Sequence, residues 1–182
     1  MSTTAVKETG AVDISKEMLI SSDSHIIEPA DLWEKQMPAS QRDQVPKFSD
    51  DGGGNKPGGT DPKERVKEMA QDGVSAEVIY PNSIFHIYAS PDQGYQAASA
   101  RVYNDWQLEI FGGRPEVFIP AAVIPMIDVG AAIEEAKRAV GIGYRSLSVP
   151  VAMPGHPYDR PEYHPFWATV EELGVPLNFH VF

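Results

Sequence analysis

An α/β protein built on a parallel sheet is the fold class this sequence predicts. Short apolar, β-favouring runs alternate in strict order with amphipathic helical stretches. The junctions carry helix-start and helix-stop residues, so the alternation is punctuated rather than accidental. Length then divides the class. At 182 residues the chain falls short of the roughly 250 that eight β/α units take, leaving an open five-stranded sheet or part of a barrel.

The elements follow in order. Residues 1–16 are small and polar, lack the apolar stretch of a secretory signal, and read as a flexible tail before a domain over 17–182. Met18 to Ile27 is apolar and β-favouring, and it ends at Glu28-Pro29, which suits a first strand breaking into a loop. An excursion over 34–61 is polar and turn-rich, with Asp50 to Gly59 offering little to a core.

A helix then begins, with Asp61 as its cap, Pro62 at the first position, Glu64 as a capping-box acid and Gly73 as its stop. Val74 to Tyr80 forms a second strand ended by Pro81, and a helix faced by Tyr95, Ala98, Val102 and Trp106 stops at Gly112-Gly113. Val117 to Pro125 is a third strand weakened by its prolines, followed by a helix capped by Asp128 and closed by Gly141. Tyr144 to Val149 makes the fourth strand. A loop from Pro150 to Pro161, a helix faced by Phe166, Val170 and Leu173, and a fifth strand over Val175 to Val181 complete the pattern.

Twenty-six acidic against 15 basic residues give a net charge of −11, which argues against nucleic acid and anionic membrane surfaces as partners. No apolar run reaches membrane-spanning length, and the default location is the cytoplasm. With no cysteine, neither disulfides nor thiolate ligands are available, so any transition-metal site must use histidine and carboxylate.

Asp23 and His25 are two apart on a strand, so both side chains project to one side. His180 lies near the end of another strand, and barrel sites are assembled from the ends of different strands. One carboxylate and two imidazoles suit Zn²⁺ first, with Mn²⁺ or Fe²⁺ as alternatives. Taken alone, an Asp-x-His pair recurs by chance, and a histidine in an apolar strand is more often a hydrogen-bonded core residue than a ligand.

Glu28, Tyr80, Asn82 and His156 are candidate substrate contacts, because each follows or ends a strand. Glu28 could equally terminate its strand, and Tyr80 and Asn82 could merely hold a loop. His86 is expected in a loop after the second strand, and His164 at the outer start of a helix. Arg145 begins a strand and is expected to form a salt bridge. Glu134, Glu135, Lys137 and Arg138 read as a solvated helix face.

The segment Asp23-Ser24-His25-Ile26-Ile27-Glu28-Pro29, followed by Asp31-Leu32-Trp33, resembles the opening of amidohydrolase-related proteins, the group that includes resorcylate-type decarboxylases. The likeness continues through Asp61-Pro62, Arg65, Met69, Gly73-Val74 and Tyr80-Pro81. It runs on through Asn104-Asp105-Trp106, Phe118-Ile119-Pro120, Pro125-Met126, Tyr158-Asp159, Pro165-Phe166-Trp167, Glu171, Gly174, Pro176 and His180.

The resemblance implies the N-terminal part, about five β/α units, of a metal-dependent TIM (β/α)8 barrel. It implies Asp23, His25 and His180 as metal ligands and catalytic residues. Asp23 replaces the family's commoner histidine or glutamate, and the family's aspartate on the eighth strand has no counterpart here, as expected of a truncated chain.

The expected activity is metal-dependent hydrolysis of a small organic substrate by metal-activated water. The alternative within the family is nonoxidative decarboxylation or hydration of a carboxylate-bearing substrate. An alternative of another class is a non-catalytic half-barrel that associates through its open edges; such edges also lead us to expect a homo-oligomer. A nucleotide-binding domain would need a glycine-rich turn where Asp23-Ser24-His25 stands.

Overall fold

The computed structural model describes residues 17–48 and 57–180. The expected N-terminal tail, the centre of the glycine-rich stretch and the last two residues lie outside them.

Six strands pair in parallel within two three-stranded sheets. β1 (Ile20–His25), β2 (Ala76–Tyr80) and β3 (Phe118–Pro120) form one; β4 (Ala122–Val123), β5 (Leu147–Pro150) and β6 (Leu177–His180) form the other. The third predicted strand is thus split in two. Its backbone changes partner at the break, with Ala121 N donating to Ile79 O and Ala122 N to Ser146 O. Pro120 has no N–H to give, which is why continuous pairing fails there. One chain segment therefore links both sheets.

The helices bear out most of the cap chemistry. In α2 (Pro62–Asp72), Asp61 accepts from Lys63 N at 2.8 Å, and Gly73 stops the helix at φ 72°. Glu64 is no capping-box partner; it pairs with Lys67 at 2.6 Å. In α5 (Val129–Ile142), Asp128 accepts from Ala131 N at 2.6 Å, but the stop is Gly143 at φ 118°, two residues beyond the expected Gly141. A residue with a Cβ resists that left-handed backbone, so the position of the φ reversal decides the end of the helix.

Two short helices depart from expectation. α1 (Leu32–Gln36) runs into the start of the expected loop excursion, over residues 34–36. It forms there because Trp33 is 1% exposed and its indole donates to Ser99 O at 3.1 Å, anchoring the segment to the core. α3 (Phe85–Ala89) contains His86, which was expected in a loop. The 19-residue α4 (Gln93–Phe111) and α6 (His164–Leu173) fall where the periodicity puts them.

Two apolar clusters hold the arc. One gathers Ile26, Trp33, Ile79, Tyr103 and Phe118 around β1 to β3, and the other Ile124, Tyr144, Leu147, Val149 and Phe166 around β4 to β6. Asn104 on α4 ties them together: it donates to Val123 O and to Glu135, and accepts from Val123 N, all at 2.9 Å or less. Glu135 is consequently buried, not part of the solvated face read from sequence. No described helix is long and apolar enough to cross a membrane.

Candidate metal centre

Asp23 and His25 close β1, and His180 closes β6, at the opposite border of the strand array. Curvature brings them together. Asp23 Oδ1 lies 3.2 Å from His25 Nε2 and 3.1 Å from His180 Nε2, and the two imidazole rings stand 5.1 Å apart. One donor atom from each residue falls within 4.8 Å of the others.

Local structure aims these groups. The register of β1 against β2 slips between Ser21 and Ser24, where three steps of β1 face two of β2. Ser21 Oγ and Ser24 Oγ meet across this irregularity at 2.8 Å. A bulge of this kind bends the strand and redirects the side chains beside it. Asp23 sits within it.

His25 is held by its ring. Nδ1 is 2.7 Å from Pro81 O, an atom that can only accept, so Nδ1 carries a proton and Nε2 is the ring nitrogen turned to Asp23. Tyr80, 4% exposed, stacks on His180 at 4.4 Å with planes 25° apart. Burial raises the pKa of its hydroxyl, aided by the Asp23 charge. The hydrogen bond from His180, reinforced by both imidazoles, holds the Asp23 carboxyl below the usual carboxylate range.

These residues fit a divalent cation. Two ligands about 2.05 Å from a tetrahedral ion are about 3.3 Å apart, close to both separations above. The donor types are the carboxylate and imidazole of transition-metal sites, and the bond from an imidazole N–H to a backbone carbonyl is the usual outer support of a ligating histidine. Asp23 is 66% exposed and His25 40%, so an ion can reach them from solvent.

The remaining candidates divide. Tyr80 joins the centre. Glu28 is buried, its Oε1 accepting from Asn82 N at 2.9 Å, which ties the loops after β1 and β2, while Asn82 itself is exposed and lines a groove with Ser24 and His25. Burial pushes the Glu28 carboxyl above its ordinary value. His156 has Glu162 as its ionic partner at 4.0 Å and is not among the clustered donors. His164 starts α6 on the exposed surface. Arg145 forms no ion pair among the described residues and donates instead to Pro115 O.

Sequence reasoning gave no role to Glu77. A carboxylate inside the apolar run Ala76–Tyr80 must find a partner, and that signal would have located Arg65, 2.5 Å away. A groove of about 430 Å³ lined by Gln36, Arg101 and Glu134 lies against the helices and contains none of the clustered donors.

A family model described as amidohydrolase matches residues 23–182. The chain is 33% identical over 123 residues to a gamma-resorcylate decarboxylase of Rhizobium sp. (strain MTP-10005), a match covering 64% of this chain and 37% of that one. It is similar to the crystal structure of 2,6-dihydroxybenzoate decarboxylase from Rhizobium, with TM-score 0.64 and 26% identity over 90% of this chain and 49% of that one. A dihydroxybenzoic acid decarboxylase from Polaromonas sp. JS666, solved with bound manganese and 2-nitroresorcinol, shares the fold at TM-score 0.64 and 24% identity, covering 91% of this chain and 49% of that one. The chain thus spans about half the length of the structures it matches. Its arc of strands is the N-terminal part of their TIM barrel.

Proposed function

The chain belongs to the amidohydrolase family, and from that premise we propose that it contributes the metal-holding strands of an enzyme that decarboxylates a hydroxylated aromatic acid without oxidation. The observation that carries this reading is the meeting of Asp23, His25 and His180 beside the Tyr80 ring. The same donors would serve hydrolysis, the activity first expected. Decarboxylation ranks above it because the curated relative at 33% identity is a gamma-resorcylate decarboxylase.

In such a reaction the bond between the ring carbon and the carboxylate breaks, CO₂ leaves, and a proton takes its place on that carbon. A divalent ion bound here would supply Lewis-acid charge toward the oxygens of the substrate. Asp23 contributes the anionic ligand, and His25 offers Nε2 because Pro81 O holds its other nitrogen. Tyr80, buried and stacked on His180, backs that imidazole and excludes water from its side of the centre. The ligand set of one carboxylate and two imidazoles accepts zinc, manganese or ferrous ion.

Purified protein loaded with Mn²⁺, Zn²⁺ or Fe²⁺ should bind 2,6-dihydroxybenzoate and release CO₂ from it or from a related hydroxybenzoate, and the His180→Ala variant should not. Metal-loaded protein that hydrolyses esters or amides while neither binding nor decarboxylating any hydroxybenzoate would overturn the assignment.

A further inference from the structure

The geometry points to Arg65 as a positioning residue that fixes the backbone of His25, an inference that rests on the proposed metal centre. Ile26 N donates to Tyr80 O, toward β2. In a trans peptide the preceding carbonyl points the opposite way, so His25 O faces the border of the sheet, where β1 has no strand beside it among the described residues. Arg65 on α2 fills that place: Nη1 donates to His25 O at 2.9 Å and to Gly58 O at 3.1 Å, while Nε donates to Glu77 at 2.5 Å.

The clamp is built on both sides. The Arg65 and Glu77 side chains are each 11% exposed. Gly58 and Gly59 lie in a 3-10 turn over Pro57–Gly59, where Gly58 N donates to Glu68 and Gly59 O accepts from Ile27 N at 2.8 Å. A Cβ on Gly58 would meet Arg65 Cα at 2.9 Å, so the turn must be glycine to press this closely on the helix. Helix α2, the turn, the end of β1 and strand β2 thus converge on one guanidinium, whose planar fork serves three acceptors at once. His25 is therefore fixed twice, through its ring by Pro81 O and through its peptide by Arg65. Release of the peptide would let Cβ, and Nε2 with it, leave the position shared with Asp23 and His180.

Cobalt titration followed by visible absorption tests this, on the full chain and on Arg65→Lys, Glu77→Gln and Lys67→Ala. Lysine keeps a positive charge near Glu77 but has no fork. The expected result is Co²⁺ affinity weakened about 10–100-fold in Arg65→Lys, with an altered absorption spectrum and unchanged far-UV circular dichroism. Glu77→Gln should weaken binding in the same direction by less, and it carries the test if Arg65→Lys does not fold. Lys67→Ala, which removes an exposed pair from the same helix, should match the parent. Parent-like affinity and spectrum in the folded Arg65 or Glu77 variant would overturn the positioning role and leave the metal centre standing. Failure of the parent to bind cobalt would overturn the centre and this role with it.

Discussion

His180 Nε2 lies 3.1 Å from Asp23 Oδ1, although 157 positions separate the two residues in the chain. They belong to strands at opposite borders of the array, and only its curvature makes them neighbours. A carboxylate held this close to two imidazoles, and open to solvent, has the arrangement of a cation site.

Removal of a ligand should therefore cost more than the roughly 10–100-fold lost with an outer partner. Asp23→Asn, which keeps the shape but not the charge, and His180→Ala should each abolish stoichiometric divalent metal in the purified protein, as measured by elemental analysis. Both variants retaining the parent's metal would place the ion elsewhere.

Asn104 should matter for stability. Its amide is the side-chain partner of both Val123 N and Val123 O and also donates to Glu135, all buried. Asn104→Ala strands these groups and should lower unfolding free energy by about 2–4 kcal/mol. Asp105→Ala removes only the half-exposed partner of Arg138 and should cost under about 1 kcal/mol. Urea denaturation of the two variants separates these outcomes.

His86 should make the fold sensitive to acid. Its ring packs between Trp33, Phe48 and Tyr95; Nδ1 bonds to Ser83 O, and Nε2 is buried without a hydrogen-bond partner. Burial lowers its pKa from 6.5 to about 4. The unfolded chain then binds the proton first, so this contribution to stability is intact above about pH 6.5 and is lost as pH falls toward 4. The loss is on the order of 2–3 kcal/mol. Unfolding of metal-free protein between pH 7 and 4.5 should show it, and His86→Phe should flatten the dependence. An equal slope in the variant would assign the acid sensitivity to other groups.

Much of the scaffold was legible because its signals are local. Asp61 and Asp128 cap the helices predicted for them through bonds to N–H groups two and three residues on, and Gly73 stops its helix through its own φ. The sequence reading puts Glu135 on a solvated face and gives Trp33 no anchoring role, because partners distant in sequence decide both; at Gly141 and Glu64 the deciding neighbours are close, Gly143 and Lys67. Trp33 forms part of the core only because α4 offers Ser99 O, and Glu135 is buried only because Asn104 and Arg138 meet it.

The candidate site divides the same way. The residue types at 23, 25 and 180, and the two-residue spacing of the first pair, were set by the order of amino acids alone, since strand periodicity acts over neighbouring residues. The meeting of β1 with β6, the Pro81 carbonyl that fixes the His25 tautomer and the Arg65 clamp on its peptide came from tertiary structure. Strand twist accumulates across the sheet and backbone carbonyls are alike at every residue, so neither the closure nor the choice of carbonyl is written in any short stretch of sequence.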